Sequence, residues 1–239
     1  MPEVLSIVMP AFNEAKTITL ILDKIREVQL PGDMGKELLI VNDCSTDLTE
    51  EIVLDYQKRH PELSIRYLKN DRNRGKGYSL RKGIQAASGA YTIIQDADLE
   101  YDPRDYGKLL QPILEGYADV VYGSRLHSSA PHRILFFWHS IGNHFLTFLS
   151  NVATNLNLTD METCYKLFRT PILQSLQLRE NRFGFEPEVT ARMARIPKVR
   201  IYEVGISYYG RTYAEGKKIN WKDGIRAIYC IVKYNFFSR

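Results

Sequence analysis

Cysteine is scarce in this chain: Cys44, Cys164 and Cys230 are its three among 239 residues, an odd number, far apart and without a CxxC pair. That argues against a disulfide framework or a cysteine-built zinc site and points to a reducing, cytoplasmic setting. No uninterrupted apolar run reaches membrane-spanning length, and no positive leader followed by an apolar stretch opens the chain. Neither a transmembrane helix nor a signal peptide is therefore expected. The common nucleotide signatures are missing as well, since there is no GxxxxGK[ST] and no GxGxxG after the first apolar run. Net charge is only +4, and the basic residues are not interleaved with aromatics in a stripe, which argues against nucleic acid. Repeats, low-complexity tracts and linkers are also absent. A hydrophobic content of 44% is enough for one core, so residues 1–239 are expected to form one domain.

What the chain does contain is alternation. Short apolar runs at Leu5–Met9, Leu38–Asn42, Ile65–Lys69, Thr92–Asp96 and Val120–Tyr122 read as strands. Between them, Ile18, Ile21, Leu22, Ile25 and Val28 recur at helical spacing, as do Ile52, Val53 and Tyr56, then Leu80, Ile84 and Ala87. This pattern predicts an α/β fold, a Rossmann-like, mostly parallel sheet flanked by helices. Ligands of such sheets gather at the carboxyl ends of the strands. Polar residues collect there: Asn13 and Glu14 after the first strand, Asp43 after the second, Arg74–Lys76 after the third, Asp96 and Asp98 after the fourth. Taken singly, Asp43 reads equally well as a helix cap, and "NRGKG" as a plain glycine turn rather than a phosphate loop.

The densest charge is acidic. "TIIQDADLEYDPRD" leaves a buried strand and delivers Asp96, Asp98, Glu100, Asp102 and Asp105 in quick succession. Like charges so close need a compensating cation. Asp96 and Asp98, separated by one alanine, can present oxygens to Mg²⁺ or Mn²⁺, with positions left open for a diphosphate. Asp102 and Asp105 read as a solvated turn.

Seven motifs in order carry a family resemblance: "VMPAFNEA", "IVNDCSTDLT", "NRGKGYSLRKGIQAASG", "QDADL", "VYGSR", "TDMETCYKLF" and "YYGRTYAEGKKI". Together they resemble the inverting nucleotide-sugar glycosyltransferases of family 2, which have the GT-A fold. Among these the likeness is to polyprenyl-phosphate glycosyltransferases, dolichol-phosphate mannose synthases included. The resemblance implies that Pro10, Phe12, Glu14 and Asp43 cradle the base and ribose, with Lys76 near the nucleotide. It implies a metal and diphosphate site at Asp96, Asp98 and Glu100, approached by Arg125, Arg211 and Lys217, and it puts Asp160 where the family often carries a catalytic aspartate. Residues 1–125 would be the nucleotide-binding half and 126–239 the acceptor half. The expected partners are a UDP- or GDP-sugar and a polyprenyl phosphate. Transfer to a saccharide hydroxyl, and sugar-nucleotide binding without turnover, remain alternatives. Phe12, Glu100, Tyr213 and "DMETCYKLF" depart from the mannose-synthase pattern, which leaves base and sugar open.

Two segments bear on the acceptor. From Ile134 to Thr159 there is no Asp, Glu, Lys or Arg, although a quarter of the chain is charged. Trp138, Ile141, Phe145, Phe148, Val152 and Leu156 form one stripe, and His139, Asn143, Thr147, Asn151 and Asn155 another, so this helix either packs under the sheet or lies on a membrane. Near the end of the chain Ile225, Ile228 and Val232 make an apolar stripe flanked by Lys222, Arg226 and Lys233. No histidine pair has metal-binding spacing, and His132 with Arg133 could touch an acceptor phosphate. The segment nearest the membrane would make the enzyme peripheral on a cytoplasmic face.

Overall fold

The computed structural model describes residues 3–126, 133–134, 136–212 and 221–238. Its first strand, β1 (Val4–Ala11), is apolar almost throughout because both of its faces are covered. Strands β2 (Gly35–Asn42) and β3 (Ser64–Lys69) extend the sheet on one side of β1, and β4 (Tyr91–Ile94) pairs on its other side. β1 and β4 run parallel, but the order of strand addition reverses between them, and that switch opens a crevice at their carboxyl ends. Beyond β4 the order continues through β6 (Lys166–Arg169), β5 (Val120–Ser124) and β7 (Ile201–Gly205). β6 runs antiparallel to both β4 and β5, whereas β5 and β7 are parallel, so the sheet is mixed and mostly parallel.

The expected strands are present, with ends that coincide or differ by at most three residues. β6 and β7 were not anticipated from the sequence. Helices α1 (Ile18–Glu27), α2 (Thr49–Arg59), α3 (Lys76–Ala86) and α4 (Tyr106–Leu114) follow β1 to β4. In α1, Ile18, Ile21, Leu22 and Ile25 are all buried, at the spacing that places them on one face. Helices α5 (Phe137–Thr154), α6 (Thr170–Ser175), α7 (Phe185–Met193) and α8 (Trp221–Val232) build the second half around one continuous core.

Asp102 and Asp105 are not a solvated turn. Both are buried. Asp102 accepts from the Arg104 backbone N–H and pairs with Lys24 and Arg104, while Asp105 accepts from Ser207 N–H and pairs with Lys108. They tie the chain after β4 to its surroundings, so two of the five acids carry structure.

α5 does not pack its aromatic stripe under the sheet, and α8 likewise turns apolar residues outward. Thr147 and Ser150 are the buried residues of α5, whereas Trp138 is 76% and Phe148 62% exposed, with Phe145 and Val152 also outward. On α8 the buried residues are Ala227, Cys230 and Ile231, and the Ile225, Ile228 and Val232 stripe lies at the surface. The basic flank of α8 does not simply face water, because Arg226 and Lys233 both pair with the buried carboxylate of Glu180.

The turn into α3 is fixed by backbone contact. Gly75 has φ +95°, which favours glycine, and a Cβ on Gly77 would come within 2.4 Å of the Glu180 carbonyl oxygen. Gly77→Ala is expected to lower stability by about 1–3 kcal/mol, although alanine is the better helix former. A urea midpoint equal to or above that of the wild type would contradict this packing.

Candidate active site

Gln95, immediately after β4, sets the geometry of the acids that follow it. Its buried side chain accepts from the Tyr106 and Tyr165 hydroxyls at 2.6 Å each and donates to the Asp96 carbonyl at 2.8 Å. The next turn is tight: Leu99 has φ +66°, and Asp98 accepts from Glu100 N–H at 3.1 Å. Asp96, Asp98 and Glu100 thereby share one edge of the crevice.

Two cations from distant parts of the chain meet these acids. Lys76, the first residue of α3, lies 3.0 Å from Asp96 and 3.2 Å from Glu186. Burial alone would lower the Lys76 pKa, but Asp96 and Glu186 outweigh it and hold the ammonium well above its ordinary value. Arg211 pairs with Asp98 at 2.7 Å, and both its backbone N–H, at 2.9 Å, and its Nε donate to Glu100. Glu100 also accepts from the Tyr208 hydroxyl. Burial, with Asp96 and Glu100 close by, still pushes the Asp98 carboxyl up to about 7 against the pull of Arg211. This edge thus carries more negative charge than its own cations offset.

The residue types fit a hard divalent cation. Asp96 and Asp98 offer carboxylate oxygens, and their crowding is what such an ion would relieve. Among the described residues no three His, Cys, Asp or Glu side chains converge enough to hold an ion unaided. That suits a site in which diphosphate oxygens supply the remaining ligands.

At the end of β2, Asp43 binds the loop before α3. Its carboxylate accepts from Asn70, from Arg74 N–H at 2.8 Å and from Gly75 N–H at 2.7 Å. It is buried beneath the crevice and shapes the turn that presents Lys76. Glu14 accepts from the Thr17 hydroxyl, and Asn13 accepts from Thr46 N–H, which closes the β1 and β2 loops onto each other. Pro10, Phe12, Glu14 and Asp43 line one side of a cavity of about 840 Å³, and Lys76, Asp96, Asp98, Glu100, Arg125 and Arg211 line its centre. Lys217, Tyr213 and His132 lie outside the described residues, while Arg133 donates to the Gly210 carbonyl.

Asp160 is 0% exposed and does not cap a helix. It accepts from the Arg125 backbone N–H at 3.0 Å, from Nε at 2.7 Å and from Nη2 at 2.6 Å, a two-pronged grip on the guanidinium. Burial would raise the Asp160 carboxyl, but Arg125 overcomes it and holds the pKa low. Arg125 in turn reaches the cavity wall, 5.2 Å from the Tyr208 ring centroid.

Two acids that sequence reasoning did not select also line the cavity, Glu162 and Glu186. Each has a buried carboxylate oxygen without a hydrogen-bond partner among the described residues. Burial and the neighbouring Glu186 push the Glu162 carboxyl up to about 8. Glu162 stands inside "TDMETC", where it read as a neighbour of Asp160. Glu186 begins α7, where an acid in the first turn is commonplace. Neither position carries a periodic or spacing signal.

Fold and site together define a nucleotide-dependent transferase of the GT-A type. The chain belongs to glycosyl transferase family 2, whose family model matches residues 6–177, and it is accordingly an inverting glycosyltransferase. It is 25% identical over 235 residues to the dodecaprenyl-phosphate galacturonate synthase of Rhizobium johnstonii, covering 98% of this chain and 67% of the relative. It is 29% identical over 231 residues to the dolichyl-phosphate beta-glucosyltransferase of Drosophila melanogaster, covering 90% of this chain and 69% of that protein. The fold matches glucosyl-3-phosphoglycerate synthase from Mycobacterium tuberculosis, solved with Mn²⁺, UDP and phosphoglyceric acid, with a TM-score of 0.74 at 19% identity over 98% of this chain and 79% of that one.

The Arg125–Asp160 pair yields a signed prediction. A carboxylate whose native pKa is depressed contributes stability above its unfolded value, about 4, and loses it as pH falls through the native value. Arg125→Gln is expected to cost about 3–5 kcal/mol at pH 7, because it strands a buried charge. That loss should shrink steadily as pH falls, because without Arg125 burial raises the Asp160 carboxyl and the variant takes up its proton at a higher pH than the wild type does. Chemical denaturation across pH checks this, and a cost independent of pH would contradict it.

Proposed function

We propose that this enzyme transfers a sugar from a nucleoside-diphosphate sugar to a polyprenyl phosphate at a membrane surface. The observation that carries the acceptor half of this reading is the cavity mouth. Trp138 and Trp221 of α5 and α8 line it, and the apolar residues of both helices continue outward from there onto the surface. A hydrophobic chain could lie along that face while its phosphate enters the cavity. No described helix is long and apolar enough to cross a membrane. The polyprenyl-phosphate enzymes among its relatives and the three free cysteines support a peripheral enzyme on a cytoplasmic face.

In this reading residues 1–125 supply the donor half and 126–239 the acceptor half. Pro10, Phe12, Glu14 and Asp43 form the side of the cavity that receives base and ribose. Lys76 and Arg211 would release Asp96, Asp98 and Glu100 and turn to the diphosphate, with Lys217 joining them. A bound Mg²⁺ or Mn²⁺, held by Asp96 and Asp98 with Glu100 beside them, would supply charge neutralisation for the departing diphosphate. The UDP and Mn²⁺ bound by glucosyl-3-phosphoglycerate synthase support this donor chemistry.

Asp160 favours a phosphate acceptor over a hydroxyl. A hydroxyl needs a base that can take its proton, whereas a phosphate is already ionised and needs only placement. Asp160 is sealed from the cavity and doubly engaged by Arg125, so it suits the task of aiming that guanidinium. Arg125 would then steady an acceptor or donor phosphate.

The test combines purified protein, Mg²⁺ or Mn²⁺, labelled UDP- and GDP-sugars and a polyprenyl phosphate, and follows label into organic solvent. Metal-dependent label in that phase, reduced at least about 100-fold by Asp98→Ala, is the expected result. Transfer to a saccharide but not to the lipid phosphate would overturn the acceptor assignment. On vesicles containing anionic lipid, Trp138→Ser with Phe148→Ser should weaken flotation at least about tenfold, since each removes a large apolar side chain from the face. Undiminished flotation would exclude α5 from the contact.

A further inference from the structure

We infer that Glu186 and Glu162 form the floor on which the donor sugar sits, and that they select a sugar bearing hydroxyls and no carboxylate. The inference rests on the nucleotide-sugar reading above and specifies its substrate class. Glu186 is only 5% exposed, and one of its oxygens is held 3.2 Å from Lys76. The other oxygen has no partner among the described residues although its side chain lines the cavity. Burying a charged acceptor without a donor is unfavourable, and a ligand hydroxyl supplies the missing donor.

Position agrees with this role. The same Lys76 ammonium lies 3.0 Å from Asp96, so Glu186 stands one cation away from the edge proposed to hold the diphosphate. A sugar attached to the distal phosphate would reach just this part of the cavity. Glu162 stands on the same floor with its own unpartnered buried oxygen. Arg182 lines the same cavity from its exposed side and Lys76 is shared between Asp96 and Glu186, while two further cations near the floor are engaged by the protein itself. Arg125 is gripped by Asp160, and the fully buried Lys166 donates to the Thr163 carbonyl. The unpartnered atoms that Glu186 and Glu162 present on the floor itself are carboxyl oxygens. Sugar hydroxyls, which both donate and accept, match that surface. A uronic acid would bring a second carboxylate against Glu186 in a partly desolvated space. The enzyme would thus differ in donor from its galacturonate-transferring relative.

Calorimetric titrations in the presence of Mn²⁺ test this, using UDP, UDP-glucose and UDP-galacturonic acid, with GDP, GDP-mannose and GDP-mannuronic acid in parallel. In the wild type the neutral sugar nucleotide should bind at least about tenfold more tightly than its uronic counterpart. In Glu186→Gln, which keeps the shape and removes the charge, that ratio should collapse to within about threefold. Glu162→Gln, at a carboxyl already held largely neutral near pH 7, should change the ratio less than Glu186→Gln does, and thermal melting verifies that both are folded. Equal affinities for the two sugar nucleotides in the wild type, with UDP or GDP bound, would overturn the sugar floor and leave the nucleotide site standing. An unaltered ratio in folded Glu186→Gln would likewise overturn it. If neither UDP nor GDP binds, the nucleotide-sugar reading fails and the floor falls with it.

Discussion

Three carboxylates crowded at the end of β4 are the constraint around which the rest of the site is arranged. Asp96, Asp98 and Glu100 cannot stand together without cations, and the chain supplies Lys76 from the start of α3 and Arg211 from the loop after β7. Those contacts pull the two halves of the molecule over one crevice. The supporting bonds follow from that need. Gln95 anchors the strand end through two tyrosines, and Asp43 folds the glycine turn that delivers Lys76. The cations partly offset the acids in the free enzyme and are the groups a diphosphate would claim, so in the proposed reading ligand binding would exchange one set of ion pairs for another. An exchange of this kind costs less than exposing bare carboxylates.

The second half contributes shape and surface rather than charge. β6, reversed between β4 and β5, lays "TDMETC" along the cavity and so brings Asp160 and Glu162 behind the crevice. α5 buries Thr147 and Ser150 and turns its aromatics outward, an arrangement that water alone does not favour. α8 is held through Glu180, which pairs with both Arg226 and Lys233, and Ile225 and Val232 remain at the surface. The charged edge and the exposed apolar residues of α5 and α8 thus meet at one cavity.

Much of this was legible in the sequence because its physics is local. β1 and β2 are covered on both faces and show as apolar runs, and the stripe of α1 shows as a helical period. Asp96 and Asp98 announce themselves by leaving such a run. β6 was hidden because it is four residues long and starts and ends with Lys166 and Arg169. β7, partly exposed along its length, gave no clean alternation. α7 showed no stripe because it is buried nearly all round, with Glu188 and Arg192 paired inside. The period of α5 was readable, but which face it buries depends on partners elsewhere in the chain. Glu186 was invisible for the same reason, since its meaning comes from Lys76, distant in sequence and 3.2 Å away in space.

The exchange of ion pairs has a direct physical signature. If Lys76 and Arg211 occupy the acids until a diphosphate draws them away, Mn²⁺ should bind poorly to the protein alone and well when the diphosphate arrives with it. Electron paramagnetic resonance of free Mn²⁺, titrated with protein in the absence and presence of UDP or GDP, measures this. The account predicts that nucleotide tightens Mn²⁺ binding by at least about tenfold and that Asp98→Asn abolishes the gain. Tight Mn²⁺ binding without nucleotide, or a nucleotide effect that survives loss of the Asp98 carboxylate, would contradict it.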